Sequence, residues 1–412
     1  MAGAAGRHRR RRPWRRLVRI ALLLSIVGAS VPAGGDVVTD QAFLDRHWRR
    51  PIAAQGVAPA RFSALEKSLA SASCGTCHPA QLADWKSSLH ARSMGPGVTG
   101  QLVDMWRDDP ESARLCQSCH APLAEQHPHA AGGRANPAFD ARLQHEGLTC
   151  AACHVRRHER FGPPPRASSA PRSAPRPSLV HNGVTRTTAF AQSAFCASCH
   201  QFAADDFALN GKLLENTYEE WKRSPAARAG RQCQDCHMPD RRHLWRGIHD
   251  PEMVKSGVEI SVTPARPRYR PGDELSAVIV VKSVAVGHHF PTYVTPRVVV
   301  RARLVDGTGA TRAGSEQEYV IAREVALDLS RELFDTRIPP GERASFSYRR
   351  RLDGTGLALR VTVTVHPDHF YTRFFESLLA SGAGAGAREI REALDASRRS
   401  SFDIFARDVP LS

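Results

Sequence analysis

The sequence lacks any apolar run of the roughly 20 residues that a membrane-spanning helix needs, which excludes an integral membrane transporter. Its 30 glycines and 28 prolines in 412 residues are ordinary proportions, so collagen-like and wholly disordered chains are excluded as well. No cysteine occurs in residues 256–412. A hydrophobic content of 42 % is enough to build either one large domain or two.

The N-terminus has the pattern of a targeting segment. Residues 1–19 carry eight arginines and no acidic residue, and residues 20–31 are apolar. Small residues then precede Gly34, so the pattern predicts a secretory signal peptide over residues 1–33. The apolar segment is too short to span a membrane comfortably, although an uncleaved anchor is the alternative. We therefore expect an exported chain that does not span the membrane after cleavage. The periplasm is the favoured location, with secretion or membrane anchoring as the alternatives.

All ten cysteines fall into five copies of one motif, Cys-x-x-Cys-His. The cysteines are Cys74, Cys77, Cys116, Cys119, Cys150, Cys153, Cys196, Cys199, Cys233 and Cys236, and the histidines are His78, His120, His154, His200 and His237. This spacing lets both thiols bond the two vinyl groups of one haem while the following imidazole binds its iron. Disulfides would not require a histidine after every second cysteine, and in zinc sites that histidine would be incidental. Chance placement of all five histidines has a probability on the order of 10⁻⁷.

The motif count predicts five covalently bound haem c groups. Their propionates offer an internal role for the basic excess, which is formally +16 over the whole chain. A basic balance often indicates nucleic acid or an anionic membrane. Because the haem propionates balance much of this charge and no nucleic-acid motif is present, we expect no nucleic-acid partner.

The predicted fold is a mainly helical and irregular multihaem domain, followed by an all-β domain with a C-terminal helix. The pentahaem cytochrome c domain covers residues 34–255, with the porphyrins as its core and an exposed proline-rich loop over residues 161–178. Residues 256–370 are rich in β-branched runs separated by turn signals, which predicts an immunoglobulin-like sandwich. Six strands are expected, at residues 258–262, 274–281, 297–305, 319–325, 344–351 and 358–365. Residues 371–412 are predicted to be helical, with an apolar stripe that docks on the rest of the protein.

The second axial ligand of each iron decides the chemistry. A filled position gives an electron carrier, whereas an open one binds and transforms small molecules. Local context favours five distal ligands, namely His90, His145, His181, His249 and His289, with His288 as the alternative within VGHHFPTY. Six further histidines are held in reserve: His127, His129, His158, His243, His366 and His369.

The segments CGTCHPAQLADWKSSLHA, HEGLTCAACH, FCASCHQF and EEWKRSPAARAGRQCQDCHMP resemble the cytochrome c-552/c-554 family of multihaem cytochromes, which is related to hydroxylamine oxidoreductase. The similarity covers roughly residues 70–255. It implies closely stacked haems, periplasmic electron transfer and a distal ligand at His90. The chain departs from the family in having five motifs rather than four or eight. It also lacks the Cys-x-x-Cys-Lys motif of pentahaem nitrite reductases, and its β region lies outside the family pattern.

Three functions follow from these features. The favoured one is a periplasmic pentahaem cytochrome that carries electrons in a respiratory chain, with no catalytic residue of its own. Its partners would be a quinol dehydrogenase, a terminal reductase or an outer-membrane cytochrome. The alternative is an oxidoreductase acting on a small nitrogen or sulfur compound at one five-coordinate haem, so the question of enzymatic activity stays open. A haem-bearing adhesion or assembly module is the third.

Overall fold

Short helices form most of the first half of the protein. The computed structural model describes residues 40–166 and 180–411, so the predicted signal peptide and most of the predicted proline-rich loop lie outside the described residues. Several helices begin with proline, as in Pro79, Pro96 and Pro110, where the missing N–H costs no hydrogen bond. The helices are α1 (Asp40–His47), α2 (Ala64–Lys67), α3 (Ser71–Gly75), α4 (Pro79–Ser87), α5 (Pro96–Asp108), α6 (Pro110–His120), α7 (Ala141–His145), α8 (Cys150–His154), α9 (Ala194–His200), α10 (Thr217–Lys222), α11 (Pro225–Arg228), α12 (Cys233–His237), α13 (Pro251–Gly257), α14 (His369–Ala380) and α15 (Ala387–Arg398).

The second half is built mainly from strands. The strands are β1 (Val155–Arg156), β2 (Glu159–Gly162), β3 (Thr185–Arg186), β4 (Ala208–Leu209), β5 (Lys212–Leu213), β6 (Val258–Pro264), β7 (Glu274–Ser283), β8 (Arg297–Val305), β9 (Gln317–Val325), β10 (Glu332–Asp335), β11 (Arg343–Arg351), β12 (Ala358–His366) and β13 (Phe402–Pro410). One antiparallel sheet has the order β10-β9-β8-β12-β13, and a second has the order β11-β7-β6. All six strands expected from the sequence lie within observed strands, and β10 and β13 are additional.

The two large sheets share one apolar core. Residues such as Ile279 from β7, Val300 from β8 and Val361 from β12 are fully buried there. Burial alternates along β12, as expected for a strand with one face inside. This confirms a β-rich second region. The immunoglobulin-like strand arrangement stays a prediction.

The region that carries the motifs has much smaller apolar cores. Its two clusters contain 11 and 4 buried residues among those the structure describes, against 24 in the core between the sheets. Side chains alone therefore bury less apolar surface in this region. That porphyrins supply much of its core stays a prediction.

The C-terminal segment differs from the helical segment predicted over residues 371–412. Helices α14 and α15 pack on each other and on α5, where Gly97 and Gly100 allow close approach: an added Cβ at Gly100 would lie 2.9 Å from Ile390. The chain then returns as β13 and pairs with β12 at the edge of the large sheet. The prediction was wrong for β13, because its pairing partner lies far away in sequence. None of the helices in the two described ranges is long and apolar enough to cross a membrane.

Candidate haem sites

Each Cys-x-x-Cys-His motif ends or follows a short helix. The motif histidines His120, His154, His200 and His237 close α6, α8, α9 and α12, and His78 follows α3. All ten cysteines have free thiols, so none is used in a disulfide. Within one helical turn, the two sulfurs and the imidazole project toward the same neighbourhood. The motifs therefore have the local conformation that thioether attachment requires.

Four of the five motif histidines face a second histidine at a common distance. The ring centres are 6.1 Å apart for His78 and His181, 6.3 Å for His154 and His243, 6.4 Å for His200 and His90, and 6.3 Å for His237 and His288. A metal–imidazole bond of about 2.0 Å on each side of one ion places two ring centres roughly 6.2 Å apart. The spacing therefore fits a metal ion between each pair, which is the arrangement of a bis-histidine haem.

Hydrogen bonds orient several of these rings through Nδ1. The distances from Nδ1 to a backbone carbonyl oxygen are 2.9 Å for His154 and Phe161, 2.6 Å for His237 and Arg246, 3.0 Å for His243 and Arg241, 2.9 Å for His288 and the carbonyl of His289, and 2.6 Å for His120 and Ser93. A carbonyl that accepts from Nδ1–H fixes the tautomer and leaves Nε2 free to bind metal. In each of these five rings, Nε2 is therefore the nitrogen available to iron.

Burial keeps the paired imidazoles in the form that binds metal. It lowers the pKa of His90 to about 3 and that of His154 and His237 to about 4, with smaller contributions from neighbouring histidines. Burial also lowers the pKa of His200 and His288. These rings are neutral at pH 7, and only a neutral imidazole nitrogen has the lone pair that iron requires.

The predicted distal ligands fall into two groups. The structure brings His90 and His181 opposite motif histidines, but it places His145, His249 and His289 elsewhere. His145 is exposed at the end of α7, and His249 lies 3.0 Å from an oxygen of Asp368. The backbone N–H of His289 donates to Glu220 at 3.1 Å, and its ring Nδ1 lies 3.3 Å from the same carboxylate.

The geometry instead favours His243 and His288 as distal ligands. His288 is the alternative histidine of VGHHFPTY, and His243 comes from the reserve group. The neighbourhood of His243 carries no signal for this role, and nothing within VGHHFPTY distinguishes His288 from His289, because the approach to His154 and His237 is made across the fold. Of the remaining reserve residues, His127 directs Nε2 to the carbonyl of Ala121 at 3.0 Å.

His120 differs from the other motif histidines. Within residues 40–166 and 180–411, no second histidine ring lies opposite it at the distance found for the four pairs. Burial raises the pKa of Glu215 to about 7, and Cys119 is among the neighbouring groups that contribute. Burial also raises the pKa of Tyr371, and Cys116 is among its neighbouring groups. The Glu215 carboxylate and the Tyr371 phenol are therefore within electrostatic range of the cysteines of the second motif.

Hydrogen bonds join the segments that carry these groups and Tyr293. The N–H of Phe370 donates to the carbonyl of Thr295 at 3.0 Å, and the hydroxyls of Thr217 and Thr292 lie 2.8 Å apart. Burial raises the pKa of Tyr293, and Glu215 and Tyr371 are among the neighbouring groups that contribute. These three residues are called the Tyr-Glu cluster below. Sequence reasoning missed it, since its members come from three separate segments.

Sulfur atoms of different motifs lie side by side at three places. A hydrogen bond from Cys74 lowers the pKa of Cys150 to about 7, one from Cys199 lowers the pKa of Cys119 to about 5, and one from Cys196 lowers the pKa of Cys233 to about 7. Each thioether would lie at the edge of its porphyrin. Neighbouring sulfurs would therefore place the edges of different haems close to each other. The contacts link the first motif to the third, the second to the fourth, and the fourth to the fifth.

A buried carboxylate and a close turn hold two of the distal histidines. Asp84 on α4 accepts from Arg242 at 2.6 and 2.8 Å and from the N–H of His243 at 3.0 Å. The turn at His90 is fixed by the N–H of Leu148, which donates to its carbonyl at 3.0 Å. Gly147 has a φ of +64° there, and an added Cβ would lie 2.9 Å from the same carbonyl oxygen. Glycine is therefore required at this contact.

Comparison with known proteins agrees with this geometry. Residues 73–155 match the family described as cytochrome c554 and c-prime. The fold is similar to that of a penta-heme cytochrome c552 from Thermochromatium tepidum, with a TM-score of 0.57 and 19 % identity. That match covers 84 % of this chain and 99 % of the other. A protein from Bordetella pertussis described as putative ApaA has a TM-score of 0.16 and 15 % identity over 38 % of this chain and 88 % of its own, which is too low to support an argument. Among curated proteins, none matches the chain significantly.

These similarities define the class. Residues 73–155 match the cytochrome c554 family and the fold is shared with a penta-heme cytochrome c552, so the resemblance to the c-552/c-554 group of multihaem c-type cytochromes predicted from the motifs is confirmed. Its motif cysteines and histidines fit covalently bound haem, which supplies a redox-active iron when attached. The family match ends at residue 155, so the β region and three of the paired distal histidines lie beyond it.

Proposed function

We propose that this chain is a periplasmic pentahaem cytochrome that carries electrons between redox partners of a respiratory chain. In this proposal the five motifs bind one haem c each, the predicted signal peptide directs export, and a quinol dehydrogenase, a terminal reductase or an outer-membrane cytochrome supplies or accepts electrons. The contact between sulfurs of different motifs is the observation that carries it. Haems whose edges lie this close can exchange electrons directly.

The contacts give a specific route. In the order of their motifs, haem 1 adjoins haem 3, haem 4 adjoins haem 2, and haem 5 adjoins haem 4, through the sulfur pairs described above. The pair His200 and His90 adds a link, because His90 lies in the turn that follows the first motif and faces the fourth. The haem 4 site is therefore the branch point, and electrons entering at haem 5 reach haem 2 through it.

The proposal is tested on the purified full-length protein. Intact mass and the pyridine haemochrome spectrum should give five haems per chain, and rapid mixing with a substoichiometric reductant should distribute electrons among them faster than the mixing dead time. Fewer than five haems would contradict the count. Slow redistribution would contradict the proposed route. Cell fractionation with N-terminal sequencing checks export and cleavage near Gly34.

A second function, reduction or oxidation of a small nitrogen or sulfur compound, is favoured by the environment of His120. The described residues place no second histidine opposite this ring, so among the five motifs this is the one at which an external ligand could take the second axial position. Glu215, with a pKa of about 7, can hold or release a proton at neutral pH, and the hydroxyls of Tyr293 and Tyr371 can donate hydrogen bonds. The Tyr-Glu cluster would thus bind and orient a small polar ligand.

Carbon monoxide distinguishes the two functions. The reduced protein should bind one equivalent per chain if the haem at His120 is open, and the ferric protein should show one high-spin haem in five. In Glu215→Gln, the pH dependence of ligand binding near pH 7 should disappear. Glu219 forms an ion pair with Lys222, and the control variant Glu219→Gln should retain that pH dependence. Wholly low-spin spectra without carbon monoxide binding would exclude the second function, and electron transfer would be the only one of the two that remains.

A further inference from the structure

Arg50 lies between two of the motifs and contacts the serine and the second cysteine of each. Its Nη1 donates to Ser118 Oγ at 3.1 Å and approaches Cys119 Sγ at 3.1 Å. Its Nη2 approaches Cys199 Sγ at 2.9 Å and donates to the carbonyl of Ser198. Ser118 and Ser198 occupy equivalent positions in CQSCH and CASCH, each directly before the second cysteine. One planar guanidinium therefore connects two motifs at matching points.

The contacts with the two serines do not depend on free thiols. Once Cys119 and Cys199 are thioethers, their sulfurs are weak acceptors and carry no charge. The hydroxyl of Ser118 and the carbonyl of Ser198 still accept from the guanidinium, so the cation remains where the two sulfurs meet. Arginine stays protonated at every physiological pH and is only weakly hydrated, which suits a partly buried position.

We propose that Arg50 is a positioning residue that raises the reduction potentials of haems 2 and 4 together and fixes the contact between them. This inference rests on the proposed attachment of haems at these motifs. Reduction of either haem adds one electron, supplied by the redox partner, and lowers the charge of its iron by one. A fixed positive charge at the shared edge favours that change at both sites. The two haems then form a matched pair at the end of the route from haem 5.

The expected size follows from the distance. A unit charge several ångströms from each porphyrin, in a medium with an effective dielectric constant of about 20, changes the reduction equilibrium by about tenfold or more. Tenfold corresponds to about 59 mV for a one-electron couple. Arg49, the neighbouring arginine, is exposed and serves as the matched control.

The test is spectroelectrochemical titration of the full-length holoprotein. In Arg50→Gln, two of the five couples should move to lower potential by roughly 59 mV, and three should stay. Arg49→Gln should move none. Unchanged couples in Arg50→Gln, or an equal shift of all five, would overturn the proposal.

A second variant covers the case in which Arg50→Gln does not mature with all its haems. Ser118→Asp places a carboxylate beside the guanidinium and cancels its charge while Arg50 stays in position. The same two couples should fall, and no change in them would overturn the proposal. The wild-type titration separates the two levels of inference: fewer than five reversible couples there would refute the pentahaem carrier itself, whereas five couples without a shift in the variants would refute only the role of Arg50.

Discussion

Replacing Asp84 by asparagine tests how His243, the distal ligand proposed for haem 3, is held. The Asp84 side chain is 7 % exposed and accepts from Nε and Nη2 of Arg242 and from the N–H of His243. An asparagine keeps one acceptor oxygen but loses the second oxygen and the charge. The segment that presents His243 to His154 then loses its main attachment to α4.

The magnitude follows from the number and kind of bonds. A hydrogen bond to a charged group contributes about 1.5–3 kcal/mol, and the lower end applies because Arg242 is half-exposed and can be hydrated instead. A loss of about 1.4 kcal/mol is a factor of ten in an equilibrium. In Asp84→Asn, we therefore expect the fraction of haem 3 that has released His243 to rise about tenfold.

Titration of the ferric protein with imidazole or cyanide measures this fraction, since an external ligand competes with His243 and should bind about tenfold more tightly in the variant. Asp408→Asn is the matched control, because Asp408 makes the same two-point contact with Arg360, at 2.7 and 2.8 Å, on the surface of the large sheet. Equal binding in wild type and Asp84→Asn, or equal tightening in both variants, would refute the reasoning.

Three further results are expected. His288→Ala should convert one more haem to high spin and be rescued by added imidazole, whereas His289→Ala should leave the spin state unchanged. Arg323→Met should lower the free energy of unfolding by about 3–5 kcal/mol in denaturant titration. The side chain of Arg323 is 1 % exposed, and its removal takes the hydrogen-bond donor away from Glu332 and from three carbonyls of the β4–β5 hairpin. Burial alone would raise the pKa of Asp335, yet bonds from Arg337 and Lys212 hold it below its usual value. The contribution of Asp335 to the free energy of unfolding is therefore complete above about pH 4 and is lost as the pH falls further. Measuring this free energy against pH, with Asp335→Asn as the reference, detects the loss.

The local parts of this protein can be predicted from its sequence. A Cys-x-x-Cys-His motif contains its attachment sites and one ligand within a single helical turn, so no distant residue is needed to recognise it. The same holds for the six predicted strands, whose alternating apolar residues reflect one buried face. β13 was missed because its position is set by pairing with β12, after two intervening helices.

The histidine pairs and the neighbours of each motif were decided by the tertiary structure. His243 and His288 approach His154 and His237 from other elements, and the two neighbours His288 and His289 differ only in which ring the turn directs toward His237. Arg50 and the Tyr-Glu cluster acquire their roles in the same way. The spacing of residues that are close in sequence is fixed by the covalent chain, whereas contacts between distant side chains depend on how the helices and sheets pack.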